Sequence, residues 1–168
     1  MASPRPATRH QRIPVQQIRE ALDGDWPPEI YLREVLSRRT RVFVFNYEHK
    51  PKKVEIVQTL LGVELKFGSR RINVPDLATA RYLAFFAKLG VQKIMVPYDI
   101  TRIARIADRL EGAWQRALWI ADQACRPPSS DATPLLWRRL HRAMRLELSD
   151  PKTRSNDTRK TVRRRPSP

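Results

Sequence analysis

Val63-Glu64-Leu65-Lys66-Phe67 alternates apolar and charged residues without a break, between Gly62 and Gly68, and constrains this chain more than any other stretch. On a strand, the alternation sends Val63, Leu65 and Phe67 to one face and Glu64 and Lys66 to the other. An acid and an amine then share a face two residues apart. The apolar side must meet a core, and the charged side is either a solvated, ion-paired face or a surface that acts on something outside the chain.

The flanking residues predict what surrounds this strand. Val15, Ile18 and Leu22 recur at helical spacing and stop at Gly24. Asp25 stands before Trp26-Pro27-Pro28 as a helix cap, and Tyr31, Leu32, Val35 and Leu36 form the apolar stripe of a second helix. Arg41 to Tyr47 is β-branched and aromatic on both faces, as a central strand buried on two sides would be. A lysine-rich turn over 48–53 leads to a strand over 54–59, and Leu60 to Gly62 reverses the chain into Val63–Phe67. Gly68-Ser69-Arg70-Arg71 reads as a basic turn, and Ile72 to Val74 as a brief extension before Pro75. Leu77 to Leu89 is a helix apolar nearly all round and ended by Gly90. A strand to Pro97 and a long helix capped by Asp99 follow, with Arg102, Arg105, Arg109 and Arg116 off its apolar stripe. Those arginines suit a solvated face paired with Asp108, Glu111 and Asp122 as well as a phosphate-binding stripe.

The expected fold is α/β: a single domain over 13–125 with a mixed sheet in αβββαβ order flanked by helices. A basic arm (1–12) precedes it, and a Pro- and Ser-rich linker (126–134), a basic amphipathic helix (135–149) and a disordered basic tail (150–168) follow. In the amphipathic segment Leu136, Leu140, Met144 and Leu148 recur every fourth residue among arginines. It is expected to cover its own domain or a second subunit of a homodimer.

Charge names the partner class. The chain has 33 Lys and Arg against 17 Asp and Glu, a net charge of +16. The segment 150–168 holds +5 and 1–12 holds +3, which leaves +8 on 13–149, so the folded part is basic in its own right. A polyanion, and nucleic acid first, is the partner this balance implies, with DNA ahead of RNA. Lys50, Lys52, Lys53, Arg70 and Arg71 sit in turns with few acidic neighbours, and together with Arg163, Arg164 and Arg165 of the tail they are the expected phosphate contacts. The aromatics Phe43, Phe45, Phe85 and Phe86 follow apolar periods and belong to the core.

Other classes are disfavoured. A single cysteine, Cys125, builds no disulfide framework, and His10, His49 and His141 lack ligand spacing for zinc. No run reaches the ~18 apolar residues of a membrane span, and the N-terminus has no secretory h-region. The expected location is the cytoplasm or nucleoid.

The order of elements, the E-x-K of Val63-Glu64-Leu65-Lys66, the basic Arg70-Arg71, the helix ending in residues 84–90 and the strand Lys93-Ile94-Met95-Val96 together resemble the restriction-endonuclease-like PD-(D/E)xK superfamily, and within it the archaeal Holliday-junction resolvases. The resemblance covers roughly residues 28–98. It implies metal-dependent phosphodiester cleavage, with magnesium held by Glu55 and Glu64, a further ligand from the Leu65 carbonyl, Lys66 orienting the attacking water, and a helical acid at Glu34 or Glu29. The usual Pro-Asp of that family is absent, and Glu55 occupies its place without a proline. The alternative is a non-catalytic DNA- or RNA-binding, or ribonucleoprotein-associated, module on the same fold. A protein adaptor working through 135–149 is the third class.

Overall fold

A computed structural model describes residues 15–125 and 132–150. Its elements are α1 (Val15–Ala21), α2 (Pro27–Glu34), β1 (Thr40–Val44), β2 (Val54–Thr59), β3 (Gly62–Phe67), β4 (Arg70–Val74), α3 (Leu77–Leu89), β5 (Lys93–Pro97), α4 (Ile100–Ala124) and α5 (Ala132–Ser149).

Helix α3 is the centre because, apart from the side bearing Arg81 and Lys88, it is nearly all apolar. Tyr82, Leu83, Ala84, Phe85, Phe86 and Ala87 are consecutive and all buried. Asp76 starts the helix by accepting bonds from the Thr79 N–H and hydroxyl, both at 2.8 Å. Gly90 ends it at φ +78°, where its N–H meets the Phe86 and Ala87 carbonyls. One side of α3 packs on β2, β3 and β4, and the others on α4 and α5.

The three strands β2, β3 and β4 form an antiparallel meander. Leu65 lies between Ile56 and Ile72, and Leu65, Phe67 and Val74 are buried against α3. The loop between β3 and β4 is Gly68-Ser69, and Gly68 has the positive φ (+60°) that the first position of a type II′ hairpin turn requires. Arg70 and Arg71, expected in a turn, therefore open a fourth strand.

The α/β class is that expected and the order of elements agrees apart from the added strand β4, but the single mixed sheet is corrected to two antiparallel ones, β1–β5 and β2–β3–β4. The cause is local to β5. Phe45 N–H bonds the Gln92 carbonyl at 2.7 Å, so alternate pairs along β1 and β5 turn their amides inward, and Met95 points its own outward. There the Met95 N–H donates to the Tyr31 hydroxyl, and the Tyr82 hydroxyl donates to the Met95 carbonyl, each at 2.7 Å. Two phenols occupy the edge where another strand would add. The segment 41–47, expected to be central, is correspondingly an edge: Val42 and Val44 are 53% and 61% exposed. Its inward residues Phe45 and Tyr47 meet Phe67 of β3 with ring centroids 5.9 and 5.8 Å apart, which ties the two sheets together.

Asp99 caps α4 as expected, accepting from the Thr101 and Arg102 amides. Asp25 does not cap α2: the cap position is Trp26, without a side-chain bond, and the Asp25 carboxylate binds Arg109 and Arg116 of α4. Helix α5 buries Leu136, Leu140, Met144 and Leu148 against its own domain, touching α1, α2, α3, α4 and β5. Glu147 secures it by accepting from Trp26 Nε1 at 3.1 Å. Among the described residues no helix is long and apolar enough to cross a membrane.

Candidate nucleic-acid interface

The face of the meander opposite α3 carries the charged half of the alternation. Pairing sets Glu55 beside Lys66 and Lys66 beside Arg71 in one row, with Val57, Glu64 and Asn73 in the next. Lys53 is at the same end, because its carbonyl accepts from the Gly68 amide at 3.3 Å. Lys52, Lys53, Lys66, Arg70 and Arg71 thus gather where β2 begins and β3 turns into β4, with Glu55 and Glu64 as the acids of the two rows. Lys52, Lys53, Arg70 and Arg71 are exposed.

Both acids are engaged. Glu55 contacts Lys53 Nζ at 2.6 Å and Lys66 Nζ at 3.8 Å. The hydrogen bond from Lys53, then the charges of Lys53 and Lys66, outweigh burial and hold the Glu55 carboxyl below its ordinary value. Glu64 lies 3.6 Å from Arg71, close enough for ion pairing but too far for a hydrogen bond, and its buried Oε2 has no hydrogen-bond partner.

Glu34 is not part of this face. It ends α2, binds Arg109 of α4 and has Arg33 at 4.0 Å. Among the described residues no three His, Cys, Asp or Glu side chains come together as a metal-binding group. The donor set that the nuclease resemblance implies is therefore split. Two carboxylates share the sheet face, each beside a cation, and the third lies on α2. These positions do not fit a magnesium site, and no catalytic step is derived through one.

Lys50 also points elsewhere. Its stem covers Gly90, where an added Cβ would lie 2.9 Å from the Lys50 Cβ, and its Nζ donates to His141 Nδ1 at 3.4 Å. His141 packs on Trp114 with ring centroids 4.6 Å apart, so Lys50 helps seat α5. Burial first, and Lys50 second, lower the His141 pKa from 6.5 to about 4. The unfolded chain then binds more protons between those values, so stability is complete above pH 6.5 and falls towards pH 4. The expected loss, reduced for partial solvent screening, is on the order of 2 kcal/mol. Urea unfolding at pH 7.5 and 4.5 checks it: His141→Gln should lose less stability between the two than the unaltered chain, and an equal loss would contradict a neutral, seated His141.

Arg163, Arg164 and Arg165 lie outside the described residues. Phe45, Phe85 and Phe86 are buried core, as expected, and Phe43 is partly buried beside them. The pairing of Glu55 with Lys66 was open to sequence reasoning: a two-residue loop at Leu60-Leu61 joins Thr59 to Gly62 and fixes every pair behind it. The roles of Tyr31, Tyr82 and Arg109 had no such signal, since their partners are distant in the chain.

The described residues thus form an α/β domain with two small antiparallel sheets and a cationic end on one of them. No family model matches the chain, and no curated protein or solved structure matches it significantly.

Proposed function

We propose that this chain binds nucleic acid, using the basic end of the β2–β3–β4 meander as a phosphate-contacting surface and the Arg-rich segments 1–12 and 150–168 as additional polyanion contacts. The observation that carries this reading is the convergence of Lys52, Lys53, Lys66, Arg70 and Arg71 at one end of one sheet. The acids of the domain favour it too, because many are already matched internally: Asp25 and Glu34 with Arg109, Glu29 with Arg19, and Asp108 and Glu111 with Arg81. Positive charge is what remains for a partner.

The ion pairs of Glu55 and Glu64 support the binding-only form of the nuclease-like reading. A carboxylate beside an amine or guanidinium gives up that partner to take a metal, and the third acid is elsewhere.

Phosphate contacts of this kind are sequence-tolerant and salt-dependent. Replacing Arg70 and Arg71 together by Ala should weaken binding to duplex and single-stranded DNA and RNA about tenfold and lower the slope of log K against log salt by about 2. Fluorescence anisotropy over a salt series reads both quantities, and a small fall in melting temperature is expected because Arg71 is the cation beside the partly buried Glu64 carboxylate, whereas the exposed Arg70 contributes little. An unchanged affinity and slope would remove the meander from the binding surface. The same incubations with magnesium or manganese, analysed on denaturing gels, test cleavage, and metal-dependent product lost on Glu64→Gln would overturn the binding-only form.

A further inference from the structure

A cleft of about 440 Å3 lies between the two sheets, lined by residues 43–46 along and just beyond β1, residues 70–72 of β4, and Phe67. Successive residues of a strand face opposite ways, so a cleft touched by three or four in a row meets the strand's edge, not one of its faces. Among the described residues each edge is unpaired: there β1 pairs only with β5, and β4 only with β3. Since the Phe45 amide is turned to Gln92, Val44 turns its N–H and carbonyl away from β5. Across the cleft, the two-residue turn makes Phe67 and Arg70 the closing pair of the β3–β4 hairpin, which leaves the Arg71 amide and carbonyl pointing away from β3. The cleft thus has main-chain donors and acceptors on two walls, an apolar floor that includes Phe67 and Ile72, and, among the described residues, Arg70 and Arg71 as its charged lining.

We propose that this cleft takes an extended acidic segment of another protein as an added strand between β1 and β4, paired to the main chain at Val44 and Arg71, with its carboxylates on the face of Arg71 and its alternate apolar side chains on the face of Phe67 and Ile72. Strand addition to an open sheet edge is an established mode of peptide recognition, in which the main chain supplies affinity and alternate side chains supply selectivity. Charge decides which segment fits. Residues 1–12 have no acid and 150–168 carry seven basic residues against two acids, so the chain's own ends and a second copy at +16 are repelled by the two arginines. The aromatic floor disfavours a stacked base here: Phe45 and Phe67 are 3% and 4% exposed, and the partly buried Phe43 is packed on Phe45 with ring centroids 5.0 Å apart. The inference goes beyond the nucleic-acid reading and predicts that the two ligands compete where they share Arg71.

The test uses the full chain and a fluorescent peptide of roughly seven residues alternating Glu and Val, the length of a typical strand. A second peptide of the same sequence and charge is N-methylated at alternate residues, which removes every donor along one of its two edges and so prevents pairing with both walls at once. The unmodified peptide should bind saturably, and the methylated one at least about tenfold more weakly, the loss expected from one or two main-chain bonds. Val44→Pro removes a donor from the open edge of β1 and none from its pairing with β5, a position where proline is tolerated. It should weaken the unmodified peptide by a similar factor and leave the affinity for a dT oligonucleotide unchanged. Equal binding of the two peptides would reduce the effect to unspecific attraction of a polyanion and overturn the proposal. So would a Val44→Pro variant that binds the peptide normally, or one that loses dT affinity in the same measure, which would assign the cleft to nucleic acid. If Val44→Pro lowers the melting temperature, the comparison of the two peptides on the unaltered chain decides by itself.

Discussion

Phe86→Ala is expected to destabilise the fold by about 3–5 kcal/mol, the largest effect of any single replacement proposed for this protein. Phe86 is fully buried in the last turn of α3, and its ring meets Tyr31 at 5.3 Å, Tyr82 at 5.0 Å and Phe85 at 5.3 Å between centroids. Two of those partners, Tyr31 and Tyr82, hold the free edge of β5 through Met95. The cavity would therefore loosen the helix and also the hydroxyls that close the small sheet. A melting temperature lower by roughly 8–16 °C in calorimetry corresponds to such a loss in a chain of this size. A fall of only a few degrees would show that α3 is not the centre of the core.

Arg109→Ala should cost about 2–4 kcal/mol, below the full value for a buried ion pair because the arginine is partly exposed. Its guanidinium binds Asp25 at 2.6 Å, just before α2, and also Glu34, at the helix end. One side chain of α4 thereby clamps both ends of α2. Glu34 is only 12% exposed, and its Oε2 has no hydrogen-bond partner, so without Arg109 it would be a nearly buried charge facing Arg33 at 4.0 Å. Adding Glu34→Gln to Arg109→Ala should recover part of the loss in urea unfolding, since the stranded charge is gone. Strictly additive losses would contradict the clamp. Arg109 first, and Arg116 with it, also hold the Asp25 carboxyl below its ordinary value of 3.8. That contribution is present above pH 3.8 and is lost as pH falls below it, so the acid limb of the stability curve should flatten in Arg109→Ala.

The same arginines show how far sequence reasoning reaches. Arg102, Arg105, Arg109 and Arg116 share the polar side of one helical pattern, and spacing alone treats them alike. In the fold Arg109 and Arg116 face Asp25, while Arg102 stays with its own cap residue Asp99 at 3.3 Å. The expected partners Asp108 and Glu111 go to Arg81 of α3 instead. Helix phase gives the face of a residue, but which neighbour lies across from that face depends on how distant elements pack.

The candidate site divides in the same way. That Glu64 and Lys66 share a face, and that Leu65 and Phe67 share the buried one, follows from the two-residue period of a strand and needs no tertiary information. The pairing of Lys66 with Glu55 follows from a short loop. The separation of Glu34 from the other two acids does not, because it depends on α2 packing on α4 and α5, which are distant in the chain. Likewise the segment 41–47 is apolar enough for a central strand, and only the packing of Tyr31 and Tyr82 against β5 leaves β1 on an edge.

The features legible in the chain are local and periodic: the helices, the strands other than β4, the buried stripe of each, the cap at Asp99, the stop at Gly90, and an excess of positive charge. The division of the strands into two sheets, the cation partners of the meander acids and the cleft lined by β1 and β4 come instead from the packing of distant elements. The physical reason is that period and capping arise from neighbours within a turn or a hairpin. Sheet order and ion pairing arise from long-range contacts, and these are settled by the best joint burial of α3 and its neighbours.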